Sequence, residues 1–275
     1  MELVAPLSFN PFTDLAALEN LRQAYFSSLS GPMDGMWDSG FTQPSPHWSI
    51  QHDGSCIGYF VLNEENTLLQ FYVEETFHSH SGSILDRIIS QHNVKKAVAS
   101  TIDPSFLSLC LDRQTGISAH TSLYTTAGAA PVGMALPVEC SFIPAQTSDL
   151  EPVVDLQIDC LGGQQELKGW LDGYSSHLIS RGELLILSDE DGWMGLGEYR
   201  RSDSQRGVVD LGVMVHPSHR RKGLAAAILT TLRQKAQSEG LVAICSTTID
   251  NVASQAAIRR AGFICRHRIM DVKFG

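Results

Sequence analysis

Residues Val208–Leu229 read VVDLGVMVHPSHRRKGLAAAIL, and the reading of the whole chain grows from this stretch. The apolar, β-branched run Val208–Val215 predicts a strand. The polar segment His216–Lys222 follows, closing on three consecutive basic residues, and Gly223 comes next. An Ala-rich helix is expected over Leu224–Ser238, ending near Gly240. The first N–H groups of a helix lack internal partners and lie at the positive end of its dipole. A diphosphate placed there meets several donors at once. Gly223 allows close backbone approach because no Cβ intervenes, and Ala225 and Ala226 keep the first turn slim. Arg220, Arg221 and Lys222 offer charge-assisted bonds to phosphate oxygens. An ordinary solvated loop is the alternative, and the residues alone leave the two readings even.

Working outward, the segments around this loop alternate short strands with single helices. After a charge-free stretch rich in Ala, Gly and Pro at 125–137, a short strand is expected at Phe142–Ala145. Asp149 is expected to cap a helix running to about Cys160, which Gly162-Gly163 end. Helical spacing recurs over Glu166–Ile179, with Leu167, Trp170, Leu171, Tyr174 and Leu178 on one stripe. Glu183–Leu187 and Trp193–Tyr199 read as a hairpin, Val242–Thr247 as a strand, Val252–Ala261 as a helix and Phe263–Val272 as a last strand.

The first half repeats this order. A helix is expected over Asp14–Ser28, with Leu15, Leu18, Leu21, Tyr25 and Phe26 on its stripe. A hairpin turns at Asp53-Gly54 between Trp48–His52 and Cys56–Leu62. A strand at Leu68–Val73, a helix containing Ile84–Ile89, a strand at Val94–Ser100 and a helix at Ser105–Asp112 complete it. Ser100-Thr101-Ile102-Asp103 echoes Thr247-Thr248-Ile249-Asp250, which points to duplication. Hairpins mixed with single helices argue against a doubly wound parallel sheet. The expected class is therefore α/β (α+β): two tandem units, 1–138 and 139–275, each a mixed, mostly antiparallel sheet flanked by helices.

Arg220-x-x-Gly223-x-Ala225, preceded by Val215-His216-Pro217, resembles the (Q/R)xxGx(G/A) acetyl-CoA signature of the GNAT N-acetyltransferases. Asn251-x-x-Ser254 followed by Gly262-Phe263 is similar to that family's second block, at a matching distance. The resemblance covers most of 140–275. It implies that backbone groups of Val213, Met214 and Val215 hold the pantetheine arm and that the amides from Arg221 through Lys222, Gly223 and Leu224 to Ala225 grip the pyrophosphate. Asn251 and Ser254 would hold the far side. Where the family often has a Tyr acid seven residues after the Asn, this chain has Ile258, which cannot donate a proton. Glu198 and Asp210, on central strands where family bases often lie, are the candidate catalytic carboxylates.

In the first half the matching loop, Glu74–Gly82, lacks Arg and Lys and places two carboxylates where a pyrophosphate needs donors. No cofactor is expected there, and the half reads as a degenerate copy of the same fold. His78-x-His80 has no further ligands nearby, and the six cysteines are scattered without a CxxC pair, so no metal is expected.

Charge sharpens the contrast. The 275 residues carry 20 Lys+Arg against 30 Asp+Glu, a net charge of -10. Residues 1–140 hold 5 of those cations and 14 of the acids, residues 141–275 the other 15 and 16. The acidic balance argues against nucleic acid, no window is apolar enough to span a membrane, and the first residues lack the basic start of a signal peptide. A soluble cytoplasmic enzyme, monomer or homodimer, is expected. It would transfer acetyl from acetyl-CoA to a primary amine of a small acceptor, and the acidic first half hints that this acceptor is cationic. The alternative is a non-catalytic acyl-CoA-binding or regulatory module.

Overall fold

A computed structural model describes residues 6–12, 18–126, 128, 131 and 134–275. The chain folds into two compact units, one of Met1–Leu123 with His267–Gly275, the other of Tyr124–Arg266. The sequence reading placed the division at 138/139, just after the charge-free stretch. Composition marks that stretch, but packing assigns its flanks: Tyr124 and Leu136 both belong to the apolar core of the second unit.

The first unit runs β1 (Leu7–Pro11), α1 (Glu19–Ser28), β2 (His47–His52), β3 (Ser55–Leu62), β4 (Thr67–Val73), α2 (Ser81–His92), β5 (Lys96–Ser100), α3 (Pro104–Leu111) and most of β6 (Gln114–Thr126). Its strands lie in the order β1-β2-β3-β4-β5. β1 with β2, β2 with β3 and β3 with β4 are antiparallel, and β4 with β5 is parallel. The end of the last strand, β12 (Phe263–Phe274), pairs antiparallel with β5. The hairpin turn at Asp53 and Gly54 takes positive φ at both residues, 49° and 73°, the conformation whose twist matches the right-handed twist of the flanking strands. Leu15, expected on the first helical stripe, lies outside the described residues. The sequence reading did not anticipate β1, a π-helical turn at Trp37–Thr42 or a 3-10 turn at Glu75–His80.

The second unit contains β7 (Ser141–Pro144), α4 (Leu150–Cys160), α5 (Lys168–Ser180), β8 (Leu184–Asp189), β9 (Gly192–Arg201), β10 (Val208–Val215), α6 (Leu224–Ser238), β11 (Val242–Thr248) and α7 (Val252–Arg260). Strand order is β11-β10-β9-β8-β7, antiparallel except for β10 with β11. Alternation along β8 divides the two cores. Leu184 and Ile186 pack with Val153 and Leu178 of α4 and α5, while Leu185 and Leu187 pack with Ile228 and Leu232 of α6. Asp149 makes no side-chain cap on α4. Its carboxylate instead accepts the Gln146 N–H at 2.7 Å, one turn earlier. Trp170, placed on the buried stripe of α5 by spacing, is 55% exposed.

The duplication is visible in detail. Gly195 pairs with Val215 and Gly58 with Val73, and an added Cβ on either glycine would run into the carbonyl of the residue before that valine. One residue beyond each valine, an N–H returns to the opposite strand: His216 to the Met194 carbonyl, Glu74 to the Ile57 carbonyl, both at 2.9 Å.

Candidate functional site

Strand β10 extends to Val215, yet it pairs with β11 only over Val208–Asp210. Beyond Asp210 the two strands part, and β10 is paired only on its other side, with β9. Main-chain groups are therefore left without a strand partner at Leu211–Val215, a place where an extended amide-bearing ligand can bond. A cleft of about 580 Å³ opens there, lined by Val213, Met214 and Val215 on β10 and by Asn251, Ser254 and Ala257 around α7. Arg220, Arg221, Gly223, Leu224 and Ala225 line it as well, so the cleft gathers every expected cofactor residue except Lys222.

At the loop end, no side chain caps α6, whose N-cap is Gly223 with φ of +84°. Arg221 also takes positive φ, +63°, a conformation costing a non-glycine residue about 1–2 kcal/mol. Strain held at an uncapped helix N-terminus that borders a cleft suits an anion, because amides stay turned outward rather than satisfied internally. By contrast, Asn251 caps α7: its Oδ1 accepts the Ser254 N–H at 3.1 Å.

Arg220 takes a place that the sequence reading did not foresee. Its Nε donates to the Val215 carbonyl at 3.1 Å and one Nη to the Cys160 carbonyl at 2.8 Å. The guanidinium thus ties the loop to the end of β10 and to the last turn of α4.

Glu198 and Asp210 come together but do not line the cleft. Both are buried, and both face Arg200. Arg200 pairs with the Glu198 carboxylate and lies 3.1 Å from Asp210 Oδ1. The Tyr174 hydroxyl donates to Glu198 Oε2 at 2.8 Å and accepts from Arg200 at 2.7 Å. Burial alone would lower the Arg200 pKa, but the Asp210 and Glu198 carboxylates hold it well above its ordinary value. Burial raises that of the Tyr174 phenol, and the neighbouring Glu198 charge raises it further.

This quartet stands beside the point where the strands part. Glu198 is paired with Gly212, and a Cβ on Gly212 would lie 2.5 Å from Glu198 Oε2. Tyr174 was a possible phenol donor that the sequence could not place, whereas Arg200 escaped the sequence reading. Its signal was alternation, since residues two apart on a strand share a face and a buried Glu there needs a cation. Ile258 is 3% exposed within the core of α6 and α7. Among the described residues no group of three or more His, Cys, Asp or Glu is placed to hold a metal.

Comparisons with known proteins show the family and the fold. An acetyltransferase (GNAT) domain profile matches residues 14–127, and the acetyltransferase (GNAT) family profile matches residues 150–263. A solved acetyltransferase of the GNAT family from Colwellia psychrerythraea is 32% identical with a TM-score of 0.88, over 98% of this chain and 100% of its own. A tandem GNAT protein from the clavulanic acid biosynthesis pathway is similar in fold alone, at 13% identity and a TM-score of 0.62, over 98% of this chain and 99% of its own. So is a GCN5-related N-acetyltransferase from Sphaerobacter thermophilus, at 16% and 0.64, over 97% and 95%. No match was found among curated proteins. With one-third identity to a GNAT enzyme along nearly its whole length and a GNAT domain in each half, this chain belongs to the GNAT family of acetyltransferases, as a tandem acyltransferase.

Proposed function

We propose that the second unit transfers an acetyl group from acetyl-CoA to a primary amine of a small acceptor. The observation carrying this reading is the parting of β10 from β11 after Asp210, which leads along one cleft to the uncapped helix at Gly223. The pantetheine amides would bond the free edge at Val213, Met214 and Val215, and the pyrophosphate would meet the amides of Arg221, Lys222, Gly223, Leu224 and Ala225. Asn251 and Ser254 would close the opposite wall. Glu198 is the proposed base, with Asp210 acting through Arg200 to keep its carboxylate in place. An acceptor arriving as an ammonium must lose a proton before its nitrogen can attack the thioester carbon, and Glu198 takes that proton directly or through water. The C–N bond forms, the C–S bond breaks, and the leaving thiolate takes up a proton from water, since Ile258 offers none.

Calorimetry with acetyl-CoA tests the donor, comparing wild type with Gly223→Trp. Open space surrounds the Gly223 Cβ position, but its φ of +84° strains any side chain there, so the indole both obstructs and distorts the loop without striking a neighbour. Wild type is expected to bind and the variant to fail; equal binding, or none in either, rejects the assignment. Thiol release over polyamines, aminoglycosides, amino acids and peptides tests the acceptor, and turnover with any of them rejects a binding module without catalysis.

A further inference from the structure

Trp170 and Tyr174 stand four residues apart on α5, one above the other on a helix face. Their rings stack, with centroids 4.9 Å apart and planes 10° from parallel. Tyr174 is the inner member: its ring packs on the core that α4 and α5 share with the sheet, and its hydroxyl donates to Glu198, the proposed base. Trp170 is the outer member, 55% exposed. The pair forms an aromatic ledge leading from solvent to the Glu198 carboxylate. The packing of the chain does not account for its outer end, since an indole left in water forgoes most of the burial it can supply. Gly173 lies on the same side of α5, three residues after Trp170, and no atom comes within 4 Å of where its Cβ would be. Glycine weakens a helix interior, and here it leaves bare space beside the indole.

Charge says what kind of group fits the ledge. Residues 150–180, which hold α4 and α5, carry five carboxylates, Glu151, Asp155, Asp159, Glu166 and Asp172, against the single lysine Lys168. Lys168 is drawn to Asp155, 3.6 Å away, while Glu166 stands one helical turn before Trp170. The cleft along β10 and α6 has the opposite character, with three arginines and no carboxylate among its described lining residues. Such a division of charge gathers an anionic donor on one side and a cationic acceptor on the other. An indole face is the aromatic surface that best attracts a cation. No lysine or arginine of the chain sits over the Trp170 ring among the described residues.

We propose that the acceptor is a diamine or polyamine, whose reacting nitrogen lies at Tyr174 and Glu198 while a second ammonium is held against the indole of Trp170. Four residues of helix separate the two points, about 6 Å at a rise of ~1.5 Å per residue, a span that a short alkyl chain between two nitrogens covers. This rests on the reading of Glu198 as the base of an acetyl transfer. Trp170 is a specificity-determining residue and takes no part in the chemistry.

The test is steady-state thiol release from acetyl-CoA with putrescine and with butylamine, which has the same carbon chain and one nitrogen fewer. Wild type is expected to prefer putrescine about tenfold in kcat/KM, a factor of about two from its second reactive end and the rest on the scale of one cation–π contact. The preference should lie in KM. Trp170→Leu is expected to reduce it to the factor of about two, and Trp170→Phe, which restores an aromatic face, to keep part of it. Calorimetry with acetyl-CoA, within about twofold of wild type for both variants, shows that they are folded and that the donor site is separate. Equal use of the two amines by wild type, turnover of neither while acetyl-CoA is bound, or a preference that survives in Trp170→Leu overturns the proposal and leaves the donor site standing. No binding of acetyl-CoA by wild type overturns the reading on which the proposal rests.

Discussion

Arg220 is the residue whose expected role and observed place differ most, and its substitution separates two accounts of the loop. If it meets phosphate by charge, then Lys is a fair substitute and Gln is as poor as Ala. In the structure it donates instead to the carbonyls of Val215 and Cys160, at 3.1 and 2.8 Å. Gln can reproduce one such bond without charge. Each exposed bond contributes about 1 kcal/mol, and 1.4 kcal/mol is about tenfold in affinity. Arg220→Ala therefore weakens acetyl-CoA binding about 30-fold, by releasing the loop, and Arg220→Gln about 5-fold. Calorimetry at low and high salt supplies a second readout. Salt screens charge–charge contacts, so a tether to neutral carbonyls predicts the same salt dependence for Arg220→Gln as for wild type. A Lys variant near wild type, with Gln as weak as Ala and a flattened salt dependence, would refute the reasoning. The family signature allows Gln or Arg at this position, and what those two side chains share is an N–H donor.

Two further outcomes follow from the packing. Gly212→Ala places a methyl 2.5 Å from Glu198 Oε2, so the carboxylate must leave its bonds to Tyr174 and Arg200. Turnover is expected to fall at least tenfold with acetyl-CoA affinity nearly unchanged, and steady-state kinetics beside calorimetry would expose the opposite pattern. In the first unit, Asp103 caps α3 by accepting the Phe106 N–H at 3.0 Å, and burial, only partly offset by that bond, raises its pKa to about 6. The folded state then holds the Asp103 proton more tightly than the unfolded chain. This contribution to stability is full below pH 4 and is lost as pH rises through about 6, a loss of about 3 kcal/mol. Asp103→Asn keeps a capping side chain and should flatten urea stability between pH 4 and 7.5; an unchanged slope refutes the assignment.

The sequence made the second unit legible because its elements carry local signals. Val208–Val215 and Leu224–Ser238 have the bounds expected from the quoted stretch, since a β-branched run, a glycine and an Ala-rich helix each act locally. Elsewhere the signals were not local. β1 owes its existence to pairing with β2, and five residues announce nothing by themselves. The repeat was read one residue out of register. The matching sequence set Asp103 against Asp250, whereas the capping bonds set Asp103 against Asn251. In the site, residue types pointed to Glu198 and Asp210, but only the fold shows that Arg200 and Tyr174 occupy both carboxylates.

Both units contain the same fork, and what lines it separates them. β4 pairs with β5 only at Thr67 and Leu68 before the strands part. Leu68 stands five residues before the Gly58-paired Val73, as Asp210 stands five before the Gly195-paired Val215. The register that sets Glu198 opposite Gly212 sets Val61 opposite Gln70. Where the second unit has a glycine, leaving space beside a carboxylate, the first has Gln70, 2% exposed and bonded by the Tyr59 hydroxyl at 3.3 Å. Where the second has Met214 the first has Tyr72, packed against Tyr25 and Tyr59. Gln70 and Tyr72 thus put side chains into the first unit's fork where the second unit has Gly212 and Met214. In the second unit Gly212 contributes no side chain to the core and weakens its strand. Such a glycine is explained by what must approach it: the Glu198 carboxylate on one side and, by the reading proposed here, the reacting end of the donor at the strand that follows.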